Sequence, residues 1–257
     1  MLLENKHAVI YGAGGAVGSA VALAFAREGA RVFLVGRTLA PLEKVAQEIS
    51  AAGGLAEIAQ VDALDEQAVA SYLDEIISNF GWIDISFNAV GLDDIHGTPL
   101  VEMAQEDFAL PTVRAITTHF VTATAAARYM AKNGSGVILA ITAIAGQGSS
   151  NVGGFGVACV AIEGFCRQLA AEMGSQGVRV VCLRSAGSPD APGVDEVFHL
   201  HAERAGLSRE AFEARVAAST MLKRLPRLAE VADMAVLMAS DRASAITGSV
   251  VSVTCGE

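Results

Sequence analysis

The sequence predicts a doubly wound α/β domain, with a mostly parallel sheet of seven strands and helices on both faces. Three observations predict it. Short apolar runs rich in Val, Ile and Leu alternate with longer stretches of helical periodicity. Glycine punctuates the approach to several strands, at Gly81-Trp82, Gly134-Ser135-Gly136 and Gly174 to Gly177. A glycine-rich turn joins the first strand to the first helix.

The strands are expected at 7–11, 31–35, 55–61, 83–90, 136–142, 178–183 and 250–254. They read as near-continuous apolar runs, the pattern of strands buried on both faces. Helical stretches lie near 16–28, 39–52, 65–79, 101–131, 152–174 and 228–240, which suits right-handed crossovers between parallel strands. Residues 185–225 break the alternation. They open on Ser185-Ala186-Gly187-Ser188-Pro189 and then carry a helical pattern of their own, which reads as a lid over a ligand site. With 257 residues and no linker or repeat, the chain is expected to form one domain over 1–257.

Composition narrows the function. Acidic residues outnumber basic ones by 28 to 18, and the net charge of −10 comes without a basic patch, so nucleic acid is not an expected partner. No apolar run reaches the roughly 18–20 residues of a membrane span, so no membrane partner is expected and the positive mean hydropathy reflects a core. The start, MLLENKHAVIY, lacks the charged and apolar regions of a secretory signal. Cys159, Cys166, Cys182 and Cys255 show no CxxC spacing and no neighbouring histidine cluster. Reduced thiols, a cytoplasmic setting and no metal are therefore expected. His199 and His201 are close, but a lone His-x-His is weak grounds for a metal.

The turn after the first strand reads Gly12-Ala13-Gly14-Gly15-Ala16-Val17-Gly18. Glycines allow the tight bend and let the backbone approach a pyrophosphate, while the following helix N-terminus offers free N–H groups. At the end of the second strand, where NAD-preferring folds usually place a carboxylate for the ribose, the chain has Gly36 and Arg37. A guanidinium suits a 2′-phosphate, so NADP(H) is favoured over NAD(H).

These residues resemble the short-chain dehydrogenase/reductase family in its single-domain Rossmann-type form, over nearly the whole chain. The family's TGxxxGxG turn matches Tyr11 to Gly18, with Tyr for Thr and Ala16 for the middle Gly. Its adenine-side Asp matches Asp62, followed by Ala63, and its NNAG stretch matches Asn88-Ala89-Val90-Gly91. The resemblance implies a nicotinamide cofactor held by Gly12, Gly14, Gly15, Ala16, Val17, Gly18, Arg37, Asp62, Ala63, Asn88, Ala89 and Val90.

The family's chemistry is another matter. Its members reduce carbonyls or oxidise alcohols with a Tyr-x-x-x-Lys pair on one helix, a Ser after the fifth strand and an Asn on the preceding helix. Tyr and Lys at that spacing share a helix face, and the ammonium favours the phenolate. Here the matching positions hold Phe155, Cys159, Ala143 and Ala115. The chain's three tyrosines, Tyr11, Tyr72 and Tyr129, have Gly15, Ile76 and Asn133 four residues on, so no shifted pair replaces the first. Weak substitutes are Thr142, expected to point to the opposite face from Ala143, and His119, one turn beyond Ala115. Cys159 reads as an inert buried thiol, and Arg184, Ser185, His199 and His201 flank the lid.

Two readings follow. One is an atypical NADP(H)-binding oxidoreductase, resembling carbonyl and 3-oxoacyl reductases, or an enzyme using the fold for non-standard chemistry on a small molecule under the lid. The other is a catalytically silent cofactor-binding sensor or partner subunit. A homodimer or homotetramer is expected through the helices near 112–131 and 152–174, whose Ala123, Ala125, Ala126, Ala127, Ala161 and Ala170 would allow close packing.

Overall fold

A computed structural model describes residues 1–256. In chain order the elements are β1 (His7–Tyr11), α1 (Ala16–Arg27), β2 (Arg31–Gly36), α2 (Leu39–Ala51), β3 (Leu55–Gln60), α3 (Glu66–Phe80), β4 (Ile85–Asn88), α4 (Gln105–Asn133), β5 (Gly136–Ala143), α5 (Phe155–Met173), β6 (Val178–Ser185), α6 (Val194–Arg204), α7 (Arg209–Ser219), α8 (Leu228–Ala239) and β7 (Ser249–Val253).

The seven strands form one sheet in the order β3-β2-β1-β4-β5-β6-β7, and every pairing is parallel. The order reverses between β1 and β4, and open α/β sheets bind ligands in the crevice outside such a switch point. Alternate residues of β1 serve two cores. Val9 and Tyr11 pack with Val69 of α3, Ala126 of α4 and Ile162 of α5, whereas Ala8 and Ile10 pack with Phe25 of α1, Ile49 of α2 and Val236 of α8. Among the described residues, no helix is long and apolar enough to cross a membrane.

Several element boundaries differ from the sequence expectation by one to four residues, among them those of α5, observed at Phe155–Met173 and not 152–174. The strand expected at 83–90 contracts to β4, because Asp84 turns to accept hydrogen bonds from the His7 amide (2.8 Å) and Trp82 Nε1 (2.9 Å). At its other end Asn88 Oδ1 accepts from the Val90 amide at 3.0 Å and closes a turn. The helix expected to begin at 101 begins at Gln105, since Leu100–Glu102 is a separate 3₁₀ turn ended by extended backbone at Met103. It runs on to Asn133, where left-handed Gly134 (φ 66°) stops it. The strand expected to stop at 183 continues to Ser185, so the lid starts one residue later and its helical pattern resolves into α6 and α7.

Of the six alanines expected at an oligomer interface, Ala161 is half-buried and the other five lie inside the chain. Ala123, Ala125, Ala126, Ala127 and Ala170 are buried within this chain, where their small size lets α4 and α5 pack onto the sheet and each other. The apolar face that α4 and α5 leave exposed is Val113, Ile116, Phe120, Val157 and Val160 instead.

One buried ion pair fastens α5 to β6. Glu163 is 6% exposed, and its two oxygens accept from Arg184 Nε at 2.9 Å and Nη2 at 2.7 Å. Removing one partner of such a pair strands the other charge, which costs about 3–5 kcal/mol. Arg184→Ala should therefore lower the unfolding free energy in a denaturant titration by about that amount. The double variant R184M/E163M should recover most of the loss. An Arg184→Ala loss below about 1 kcal/mol would show that the carboxylate finds water instead.

Candidate functional site

The site begins at the β1–α1 turn. Gly12 has φ +74°, and a Cβ there would lie 2.5 Å from the Ala89 carbonyl oxygen, so only glycine lets this turn touch the exit of β4. A Cβ on Gly18 would lie 2.3 Å from the Gly12 carbonyl oxygen, which presses α1 onto the turn. The first turn of α1 carries no acidic residue, and its N-cap, Gly15, supplies no side-chain cap. The unpaired N–H groups and the helix dipole are thus left for an anion.

Beside this turn lies a hollow of about 110 Å³ walled by Gly36, Arg37, Asp62, Ala63, Val90 and Gly91, among others. Gln60 Nε2 donates to the Arg37 carbonyl at 2.9 Å and fixes that backbone, while the Arg37 side chain is exposed and has no ion-pair partner among the described residues. Asp62 Oδ1 accepts from the Leu64 amide at 3.0 Å. Gly14 and Gly15 complete the turn, Ala16 and Val17 open α1, and Val17 borders the neighbouring cavity.

Val90 and Gly91 also border a second, larger cavity of about 260 Å³ at the carboxyl ends of β4, β5 and β6, under the lid. Its walls are largely apolar, with Ile141, Ala143, Phe155, Ile162 and Val194 among them. The glycines on either side of Phe155 set it in place. A Cβ on Gly154 would lie 1.9 Å from the Phe108 carbonyl oxygen, and one on Gly156 2.8 Å from that of Ala145.

Most polar side chains bordering the cavity are committed elsewhere. Asn88 Nδ2 donates to Thr122 Oγ1 at 3.0 Å while its Oδ1 holds Val90, so Asn88 shapes the loop with both ends. Thr142 lines the cavity, and its side chain turns to the α5 face shared by Ile138 and Ala140, opposite that of Ile141, as strand alternation predicts. Its hydroxyl donates to Glu163 Oε1 at 3.1 Å, with the Leu183 carbonyl at 3.3 Å also in reach, so it is satisfied within the core. Ser185 Oγ accepts from the Gly187 amide at 3.3 Å. Cys159 Sγ accepts from the Ala143 amide at 3.4 Å, and burial pushes its thiol up to about 11. It is therefore protonated at neutral pH and weakly nucleophilic.

His119 borders the same cavity and is 4% exposed. Its Nδ1 is 2.8 Å from the Ala115 carbonyl, one turn back on α4, and its Nε2 is buried without a hydrogen-bond partner. Burial pulls its imidazole down to about 4. Tyr11 is fully buried and Tyr129 points to Asp74, so neither is placed to serve the cavity, and no tyrosine or lysine borders it.

One cluster escaped the sequence reading. Asp94 borders the cavity, and its Oδ2 is 2.5 Å from His96 Nε2; His96 Nδ1 is 3.3 Å from His201 Nε2 on α6. The His96 ring sits 5.4 Å from that of Phe155. This chain of side chains joins the loop after β4 to the lid. It forms a line, and no converging metal-binding group of three was found among the described residues. His199 lies apart on the exposed side of α6, its Nδ1 3.2 Å from the Asp195 carbonyl.

Comparison with known proteins settles the family. A family model described as enoyl-(acyl carrier protein) reductase matches residues 12–257. The short-chain reductase protein NovJ of Streptomyces niveus is 30% identical over 253 residues, 98% of this chain and 94% of its own. The chain belongs to the short-chain dehydrogenase/reductase family. Another member, the 7alpha-hydroxysteroid dehydrogenase of Escherichia coli (strain K12), is 28% identical over 99% of this chain and 94% of its own. Among solved structures, a putative NAD(P)-dependent gluconate 5-dehydrogenase from Beutenbergia cavernae with bound NADP superposes with a TM-score of 0.85, at 28% identity, over 98% of this chain and 96% of the other. Ala115 is fully buried on α4, one turn before His119, and Ala143, Phe155 and Cys159 lie on the cavity wall.

The buried imidazole has a pH signature. Its folded value, about 4, lies below the ordinary 6.5, so the unfolded chain takes up the proton first as pH falls. Stability is lost from about pH 6.5 downward, and the loss levels off below the folded value. Relative to a His119→Gln variant, the protein should lose about 3 kcal/mol of unfolding free energy between pH 7 and pH 4. Parallel curves for the two proteins would mean that His119 is not buried in its neutral form.

Proposed function

We propose that this chain is an NADP(H)-binding oxidoreductase of its family that accepts a small, largely apolar substrate under the lid and works without the tyrosine–lysine proton relay. The observation that carries the reading is that two hollows meet at Val90 and Gly91, one beside the glycine turn and Arg37, and one with largely apolar walls and no tyrosine or lysine among its described lining. The residues fit the cofactor. The uncapped α1 N-terminus and Gly12 to Gly18 would hold the pyrophosphate, Arg37 the 2′-phosphate, and Asp62 and Ala63 the adenine side. Asn88, Ala89 and Val90 would support the nicotinamide end. When bound, that group supplies or takes a hydride. Methyl groups at 115 and 143, a phenyl ring at 155 and a protonated thiol at 159 leave the accompanying proton to the substrate or to water.

The same wall supports the second reading, a silent cofactor-binding sensor or partner subunit. A general acid is worth about 10²–10⁴ in rate, so its loss would leave turnover slow or absent. The four cysteines are free, which supports a cytoplasmic setting.

Calorimetry separates these readings from a chain that keeps only the fold. NADPH should bind, and NADH should bind about tenfold more weakly. Arg37→Ala should bring the two affinities to within about twofold of each other. No binding of either nucleotide at millimolar concentration would overturn the reading. NADPH oxidation across a panel of apolar carbonyl compounds then divides the slow enzyme from the silent binder.

The exposed face of α4 and α5 supports a homodimer or homotetramer. Val113 is 62% exposed, Phe120 50% and Val160 48%, an apolar grouping that a monomer rarely shows to water. Sedimentation should show an oligomer for the native chain and a monomer for the V113D/F120D variant. A native monomer at micromolar concentration would contradict it.

A further inference from the structure

His119 is the one histidine whose second ring nitrogen is buried without a partner among the described residues, and that nitrogen belongs to a side chain on the cavity wall. A neutral imidazole has one N–H donor and one lone-pair acceptor. A carbonyl can only accept, so the Ala115 oxygen 2.8 Å from Nδ1 fixes the proton on Nδ1. Nε2 then carries the lone pair. Burial without a carboxylate partner keeps the ring neutral, since Glu163 is held by Arg184 and Asp94 by His96. A buried acceptor left unpaired is unfavourable, and a donor that enters the cavity relieves it.

The surroundings narrow the kind of donor. Phe155, Ile141, Ala143 and Ile162 favour a hydrocarbon body, and Asn88 and Thr142 already have partners. A ketone oxygen offers Nε2 a second lone pair and gains nothing from it. An alcohol offers a hydrogen.

We propose that His119 Nε2 is the hydrogen-bond acceptor that docks a hydroxyl group of a small apolar ligand, so that the cavity selects an alcohol over the matching ketone. This inference rests on the reading of the cavity as the ligand site. It makes His119 a specificity-determining residue and not a general base: a proton on Nε2 would leave an imidazolium in an apolar cavity with no counter-charge beside it.

The test uses the whole protein, with histidine nitrogens labelled, and two matched probes, cyclohexanol and cyclohexanone. In long-range proton–nitrogen spectra at pH 7, His119 should show an unprotonated Nε2. Cyclohexanol should shift that signal and cyclohexanone should not. The alcohol should bind about threefold to tenfold more tightly than the ketone, and His119→Phe should bring that ratio near one. A protonated Nε2 in the free protein, an equal response to both probes, or no response to either overturns the assignment. The nitrogen readout needs only the native chain, so it stands if the variant fails to fold. It also needs no cofactor, so a failure of NADPH to bind is seen separately and counts against the broader reading alone.

Discussion

The close contact between the β1–α1 turn and the exit of β4 holds the site together. It exists because position 12 lacks a Cβ; a methyl group there would meet the Ala89 carbonyl oxygen at 2.5 Å. Through that contact the N-terminus of α1, the Arg37 corner and the loop at Val90 and Gly91 share one crevice at the point where strand order reverses. A parallel sheet covered on both faces leaves few other places for a ligand. The hollow beside Arg37 and the apolar cavity are therefore coupled by the backbone, and a change at Gly12 would disturb both.

The apolar end of the crevice is held by a buried polar node just behind it. Glu163 accepts from Arg184 and Thr142, which draws β5, β6 and α5 together and pairs these charges with each other. Cys159 fills the space next to it as a small, protonated, apolar-behaving side chain. What remains facing the cavity from α4 is an imidazole held neutral and in one tautomer by its own helix.

Much of this was legible in the sequence. All seven strands, the glycine turn, Arg37 and the helix bearing Phe155 and Cys159 follow from local pattern, because strand runs and glycine turns are local. The start of α4 differs because Leu100, Ala104 and Phe108 recur at helical spacing, while the backbone extends at Met103. The alanines of α4 and α5 carry no such signal, because small size suits packing inside a chain as well as between chains. The Asp94–His96–His201 line and the Glu163–Arg184 pair left no local signal. His96 and His201 are 105 residues apart, and Glu163 and Arg184 are 21 apart on different elements. The depth of His119 was equally hidden, since a helix face in sequence does not say whether it meets a neighbour or a cavity.

A crystal structure of the NADPH complex is the most direct test of the central claim, a dinucleotide site joined to a cavity without the standard proton relay. It should show the phosphates at Gly12 to Gly18, the 2′-phosphate at Arg37 and the nicotinamide against the wall formed by Ala143 and Phe155. It should also show no protein O–H or N–H donor within about 3.2 Å of where a carbonyl oxygen would sit above the nicotinamide. A lid or loop side chain delivering such a donor on cofactor binding, Asp94 or His96 above all, would contradict it.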